Sequence, residues 1–222
     1  MLKKPFPQKS NKPPSPTLDK FLQSMKIGYV EWHDGIGYDL EALGELRGEE
    51  LRQVETLLIS RKHLDWRDID ALAEIDSDEA LSALKNALKS KNYEVRARAI
   101  EKLSQKGIIS VREIERLLVE TIPLVSILNG QTFTLRLAEK YPTPAVKRVL
   151  LWCTLHGNDD VRVHAAALIH YLYGIATSTF DWKYRPFYLR FGDKNLSSRK
   201  LAYDELCEMI QVDPRWAIDE SA

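Results

Sequence analysis

Ser77-Asp-Glu-Ala-Leu-Ser-Ala-Leu-Lys-Asn-Ala-Leu-Lys-Ser-Lys-Asn-Tyr-Glu-Val-Arg96 and Thr143-Pro-Ala-Val-Lys-Arg-Val-Leu-Leu-Trp-Cys-Thr-Leu-His-Gly-Asn-Asp-Asp-Val-Arg162 superimpose without a gap when the chain is shifted by 66 residues. Cap residue falls on cap residue. The apolar phase is shared at Ala80/Val146, Ala83/Val149, Leu84/Leu150 and Ala87/Cys153, and the turn keeps Asn92/Asn158. A second helix then opens with Val95-Arg96 and Val161-Arg162, continuing to Ala99/Ala165 and Leu103/Ile169. The unit is therefore a helix, a short turn and a second helix. A looser copy starts at Ser110, at about half the shift, which is a period typical of helical repeat arrays.

Outward from this region the helical pattern continues, with apolar residues three and four apart and few alternating runs. Thr17 can cap a helix carrying Leu18 and Phe21, Asp39 one carrying Leu40 and Leu43, and Asp65 one carrying Ile69 and Leu72. Glu49 to Ser60 offers a further apolar face. Ser110 with Glu113 has capping-box spacing, and Thr143-Pro144 puts a cap ahead of a proline at the first helical position. Short connections predict antiparallel neighbours. The expectation is an all-α chain of about nine to eleven helices in one domain over 17–222, with its clearest repeats at 77–107, 110–141 and 143–174. Residues 1–16, rich in Pro and Lys, read as a solvated tail. An aromatic segment over 178–214, with Phe180, Trp182, Tyr184, Phe187, Tyr188 and Phe191, reads as a cover for the last open helix face.

Val95-Arg96-Ala97-Arg98-Ala99 and Val161-Arg162-Val163-His164-Ala165, each after an Asn-containing turn, resemble the HEAT-repeat family. The resemblance implies a right-handed α-solenoid of antiparallel helix pairs. It also implies a structural role for Val95, Ala99, Val161 and Ala165 in packing, and for Arg96 and Arg162 in bonding neighbouring helix ends. Trp32 to Asp39 and Phe180 to Phe187 are similar to the flanking segments of small bacterial HEAT-repeat proteins. Some of those look like immunity proteins that neutralise toxins.

Composition sets limits on function. Thirty-two Lys+Arg balance 32 Asp+Glu, which argues against a general polyanion binder. No apolar run has the length of a membrane helix and the start lacks the apolar core of a secretory signal. Cys153 and Cys207 have no metal-ligand spacing and suit a reducing, cytoplasmic setting as buried thiols. No metal or cofactor is expected. None of the five histidines is followed by Glu, so paired His-Glu iron ligands are absent, and His164 and His170 lie on different faces of one helix. The loop His33 to Asp39 could be imagined as a His/Asp acid–base site beside Tyr38, but it reads more simply as a tight connection in which glycines supply positive φ, Asp39 caps the next helix and Trp32 and Tyr38 pack on it.

The distribution of charge is more informative than its sum. Residues 1–26 carry +5, 27–80 carry −10 and 81–222 carry +5. The acidic block, with Glu31, Asp34, Asp39, Glu41, Glu45, Asp65, Asp68 and Asp70, is expected to attract a basic protein. Trp182 and Arg185 are candidate contacts of the aromatic segment. The basic stripe Lys85, Lys89, Lys91, Arg96, Arg98, Lys102 and Lys106 reads as a solvated face rather than a nucleic-acid site. The leading expectation is a non-enzymatic protein-binding chain, an immunity or inhibitor protein occluding a basic toxin domain. A scaffold or adaptor of an enzyme assembly is the alternative, and a DNA-binding or glycosylase-like helical-repeat enzyme the third.

Overall fold

The computed structural model describes residues 13–217 and is all-α, with thirteen α-helices, four short 3-10 turns and no strand among the described residues. The helices exceed the nine to eleven expected because α2 (Tyr29–His33) and α12 (Arg185–Leu189) are single short turns with no apolar period of their own. The chain divides into two compact units, the boundary falling between Ala83 and Leu84 inside α6 (Asp78–Ala87).

The first unit holds α1 (Pro16–Ser24), α2, α3 (Leu40–Glu45), α4 (Gly48–Ser60) and α5 (Trp66–Glu74). Helix α1 packs on α3, α3 on α5 and α4 on α5. Leu18, Phe21, Leu43, Val54, Leu58, Ile69 and Leu72 are buried. Helix α1 begins earlier than the sequence suggests. Its cap is Ser15, not Thr17: the Ser15 hydroxyl accepts from Leu18 N at 3.1 Å, and its own N–H and O–H donate to the two oxygens of Glu50 at 3.0 and 2.9 Å. Pro16 takes the first helical position, where a missing N–H costs nothing. The expected tail therefore stops short of residue 16, and its residues 1–12 lie outside the described residues. Asp39, Asp65, Ser110 and Thr143 do cap helices as their positions predict.

In the second unit α7 (Tyr93–Gln105), α8 (Val111–Thr121), α9 (Gln131–Lys140), α10 (Pro144–His156) and α11 (Asp159–Leu172) alternate between two rows. Helix α7 contacts α9 and α9 contacts α11, while α8 contacts α10 and α10 contacts α13 (Leu196–Met209); α10 and α11 pack most extensively. Side chains tie each turn to the next helix pair. Asn129 Oδ1 accepts from Tyr93 N at 2.8 Å, and Asn158 Nδ2 donates to Val125 O at 2.5 Å while its Oδ1 caps α11 through Val161 N. The turn carrying Asn129 lies so close to α7 that only glycine fits at position 130. Its φ is +79°, and a Cβ there would sit 2.4 Å from Glu94 N.

The two arginines of the repeat do hold helix ends, unequally. Arg162 is 6% exposed. It donates to Phe191 O at 2.8 Å, to Gly157 O at 2.9 Å and to Asp159 at 2.6 Å. Arg96 is half-buried, donates to Ser90 O at 3.1 Å and reaches Thr121 Oγ1 only at 3.4 Å. Val95, Ala99, Val161 and Ala165 are fully buried. Past α11, Tyr188 and Phe191 are also fully buried, and Tyr184, Phe187 and Tyr188 surround the His170 ring, whose Nδ1 shares a 3.0 Å hydrogen bond with the Tyr188 hydroxyl. Cys153 and Cys207 are buried free thiols, pushed up to about 12 and about 11 by desolvation.

Two measurements follow. Arg162→Ala leaves two buried carbonyls unpaired and is expected to cost about 3 kcal/mol in urea unfolding, against about 1 kcal/mol for Arg96→Ala; equal costs would show that the two arginines are interchangeable. Desolvation holds His156, His164 and His170 below their ordinary pKa of 6.5. The unfolded chain therefore takes up these protons first as pH falls, so stability should decline from pH 7 towards 5. His170→Gln, which keeps a partner for Tyr188 but does not titrate, should flatten that decline.

Candidate functional site

A polar group of the first unit joins Tyr38, Arg61 and the start of α5. Asp68, in the first turn of α5, has no exposed side-chain surface. One of its oxygens receives the Tyr38 hydroxyl at 3.0 Å and Arg61 Nη1 at 2.7 Å, and the other accepts from Asp65 N at 2.8 Å. Arg61 Nη1 also donates to the Tyr38 oxygen at 2.6 Å. A buried carboxylate with both oxygens engaged, one of them by an arginine, is held rather than stranded, which is the condition for burying charge at all. Burial and the Asp68 charge push the Tyr38 phenol far above its ordinary range, so it stays protonated and donates. The Phe21 ring meets Tyr38 edge-on at 6.1 Å and completes the wall.

Arg67, the next residue before Asp68, is 2% exposed and turns the other way. Its Nε donates to Ile36 O at 2.6 Å and its Nη2 to Glu31 O at 3.1 Å, while Nη1 bonds both oxygens of Asp65 at 3.1 Å. The guanidinium also lies 4.5 Å from the centre of the Trp66 ring. One side chain thus grips both ends of the 31–36 segment by its backbone. Gly35 adopts a φ of +65°, as a tight connection requires. Gly37 has no positive φ, and a Cβ there would make ordinary contact with the Trp66 indole at 3.7 Å, so neither reason demands glycine at that position.

The outward side chains of the gripped segment are large and uncovered. Tyr29 is 74% exposed, Trp32 63%, Val30 60% and Ile36 48%. The Tyr29 ring lies 6.2 Å from Trp32 and 5.7 Å from His33. Among the carboxylates of this unit, Asp34 is exposed beside His33 at 2.8 Å, and Glu41 and Glu45 are exposed on α3, close enough to Lys20 to add to the rise in its pKa that Asp39 causes. An aromatic and aliphatic ridge that carries an exposed acid, on a segment whose backbone is held by a buried arginine, has the composition of a protein contact.

The acidic residues expected to form one surface fall into separate roles. Asp68 and Asp70 are buried, and their place is inside the unit rather than on a binding face; Asp68 faces inward because, three residues after the cap Asp65, it bonds back to the cap N–H. Asp65 is occupied by Arg67. Asp39 caps α3 and pairs with Lys20 at 3.0 Å, contacts that hold its carboxyl below the usual range. Glu31 is half-buried and accepts from Gly28 N at 2.9 Å. Asp34 and Glu41 remain on the surface. Trp32 does not pack, contrary to the tight-connection reading, whereas Tyr38 does. Because Tyr38 bonds Asp68 and Arg61, it forms no acid–base group with His33 and Asp34. Tyr29, Val30 and Ile36 were not readable as ridge residues, since exposure of an apolar side chain leaves no mark in sequence.

In the second unit Trp182 is 74% exposed, with Arg185 5.5 Å from its ring centre and Phe180 edge-on at 6.0 Å. These two candidate contacts are brought together on one side of the aromatic segment. Comparison with protein-family models, with curated proteins and with solved structures finds no match for this chain.

The grip by Arg67 has a direct test. Lysine has a single donor nitrogen where Arg67 reaches the two carbonyls with Nε and Nη2, so Arg67→Lys should lower stability by about 2 kcal/mol and raise amide exchange across residues 31–37 while leaving α1 and α4 protected. Unchanged exchange in that segment would show that Arg67 does not fix it.

Proposed function

We propose that this chain is a non-enzymatic HEAT-like helical-repeat protein that binds another protein, and specifically an immunity or inhibitor protein that occludes a basic toxin domain. The observation carrying this reading is the exposed group of Tyr29, Trp32 and Ile36 with the exposed Asp34 between them in sequence, in the unit that also exposes Glu41 and Glu45 on α3. The aromatic side chains supply contact area at low entropic cost, and the acids supply long-range attraction to a cationic partner. A nuclease-type toxin is cationic where it binds phosphate, so covering that face blocks its substrate. The right-handed solenoid architecture belongs to this same proposal. In support of it, the α7–α11 helices alternate in two rows, and Arg162 ties the 157–162 turn to the segment that follows the last pair.

The acidic ridge favours this reading over the scaffold alternative, which asks for no charge selection. The experiment is association kinetics with the toxin domain as partner. Asp34→Lys with Glu41→Lys should slow association about tenfold at low ionic strength and by less than about twofold at 0.5 M salt, since surface charges are screened within about 10 Å at 0.1 M and within a few ångströms at the higher salt. Trp32→Ala should act mainly on dissociation, with a loss of about 2 kcal/mol in binding. Cells producing the toxin should survive with this chain and die with the triple variant; an unchanged on-rate, or survival, would overturn the ridge as the binding face.

A further inference from the structure

One buried titratable group of the second unit has no part in the ridge. His170, near the end of α11, is fully buried. Its Nδ1 shares the 3.0 Å hydrogen bond with the Tyr188 hydroxyl, and its Nε2 has no hydrogen-bond partner among the described residues. Aromatic rings surround it: Tyr184 stands edge-on with ring centres 4.6 Å apart, followed by Tyr188 at 5.8 Å and Phe187 at 6.1 Å. All three rings belong to the stretch that follows α11, so the imidazole is the point on which that stretch closes.

The stretch is anchored separately at its two ends. At its start Gly174 turns the chain with a φ of +76°, and Ile175 N and Ala176 N donate to His170 O. At its far end Arg162 donates to Phe191 O at 2.8 Å, and Phe191 is fully buried. Between these anchors α12 packs on α11, with the rings gathered around His170.

This box suits a neutral imidazole and not an imidazolium. The neutral ring needs one partner at Nδ1, whereas the imidazolium carries two N–H donors and a full charge, and Nε2 has nothing to donate to. The Tyr188 phenol, pushed up to about 12 by burial, keeps its proton and offers no negative charge. Asp181 is the charged side chain that acts on His170, and its attraction is outweighed by desolvation. Its oxygens are taken by Thr177 N and Oγ1 and by Lys183 N at 2.8–3.1 Å, contacts that hold its carboxyl below the usual range. Lys183 and Arg185 lie against the Tyr184 and Trp182 rings, and the α9 and α10 helices packed on α11 bring no charge that acts on His170. His164 also titrates against this stretch, 5.3 Å from Phe180, but it is half-buried and has Asp160 as a counter-charge.

We propose that His170 is a proton-operated latch: its protonation releases residues 177–190 from α11 and uncovers Phe187 and Tyr188 beside the exposed Trp182, while the helix rows stay folded. The opening is local because the bond from Arg162 to Phe191 O lies beyond the released stretch and does not titrate in this range. The closed form disfavours the charged ring, so the open form takes up the proton first and opening increases as pH falls through 6.5. Where the closed form takes up no proton at all, the opening constant rises about 25-fold from pH 7 to pH 5. The latch uses no residue of the first unit and does not depend on the toxin reading.

The test is amide hydrogen exchange of the full chain at pH 7, 6 and 5, corrected for the intrinsic pH dependence of exchange, with the His170 imidazole followed by NMR. Exchange across 177–190 should rise at least about fivefold from pH 7 to pH 5 while α7 and α9 keep their protection. His170→Gln should remove the rise, because the amide keeps a partner for Tyr188 and does not titrate, and His164→Gln should retain it. His170→Phe, which fills the box with an apolar ring, is the second non-titrating variant and should remove the rise as well; an unchanged melting temperature at pH 7 shows that a variant is folded. A uniform rise over the whole second unit would overturn the latch, as would a rise that persists in the two His170 variants or vanishes in His164→Gln. So would a His170 ring that titrates fully while 177–190 stays protected.

Discussion

Every helix ends with carbonyl oxygens that its own N–H groups cannot reach, and a chain made almost entirely of short helices has many such ends to satisfy. Here the burden falls on arginine. A guanidinium carries several donors in a fixed plane and keeps its charge when buried. Arg162 uses this to join Gly157 O to Phe191 O, and Arg67 uses it to join Glu31 O to Ile36 O. Both side chains are almost fully buried, and both carry a neighbouring aspartate, Asp159 or Asp65, as counter-charge. Without these crosslinks Gly157 O, Phe191 O and Ile36 O would lose these donors, whereas Glu31 O also accepts from Ile36 N at 2.9 Å.

The same device separates the two roles of the acidic block. Aspartates at helix starts are engaged by N–H groups and arginines, so the buried Asp68 and the partly exposed Asp65 become framework. Arg67, paired with Asp65, holds the backbone of Glu31 and Ile36, and Trp32 and Ile36 of that same segment are exposed.

Much of the fold was legible in sequence. The 66-residue self-similarity located the pairs from α6 to α11, and the cap residues Asp39, Asp65, Ser110 and Thr143 marked true helix starts, because both signals are local and the structure answers them locally. Ser15 was missed because its role depends on Glu50, thirty-five residues away. The site was less legible, because a charge count does not know which way a side chain points. Asp65 and Asp68 three residues apart were a capping-box signal that could have removed Asp68 from the acidic surface. Nothing comparable marks Trp32 as exposed, since it lies on a five-residue helix with no apolar period to read.

The ties between successive turns also bear on how the second unit forms. Tyr93 with Asn129, Ser104 with Tyr141, Val125 with Asn158 and Arg162 with Phe191 join residues 36, 37, 33 and 29 positions apart. No tie of this set waits for a distant part of the chain. Contacts of such short span give fast folding with little loop entropy to overcome. During synthesis each helix pair can be locked as soon as the next thirty or so residues have left the ribosome, so the unit can assemble in the order in which it is made.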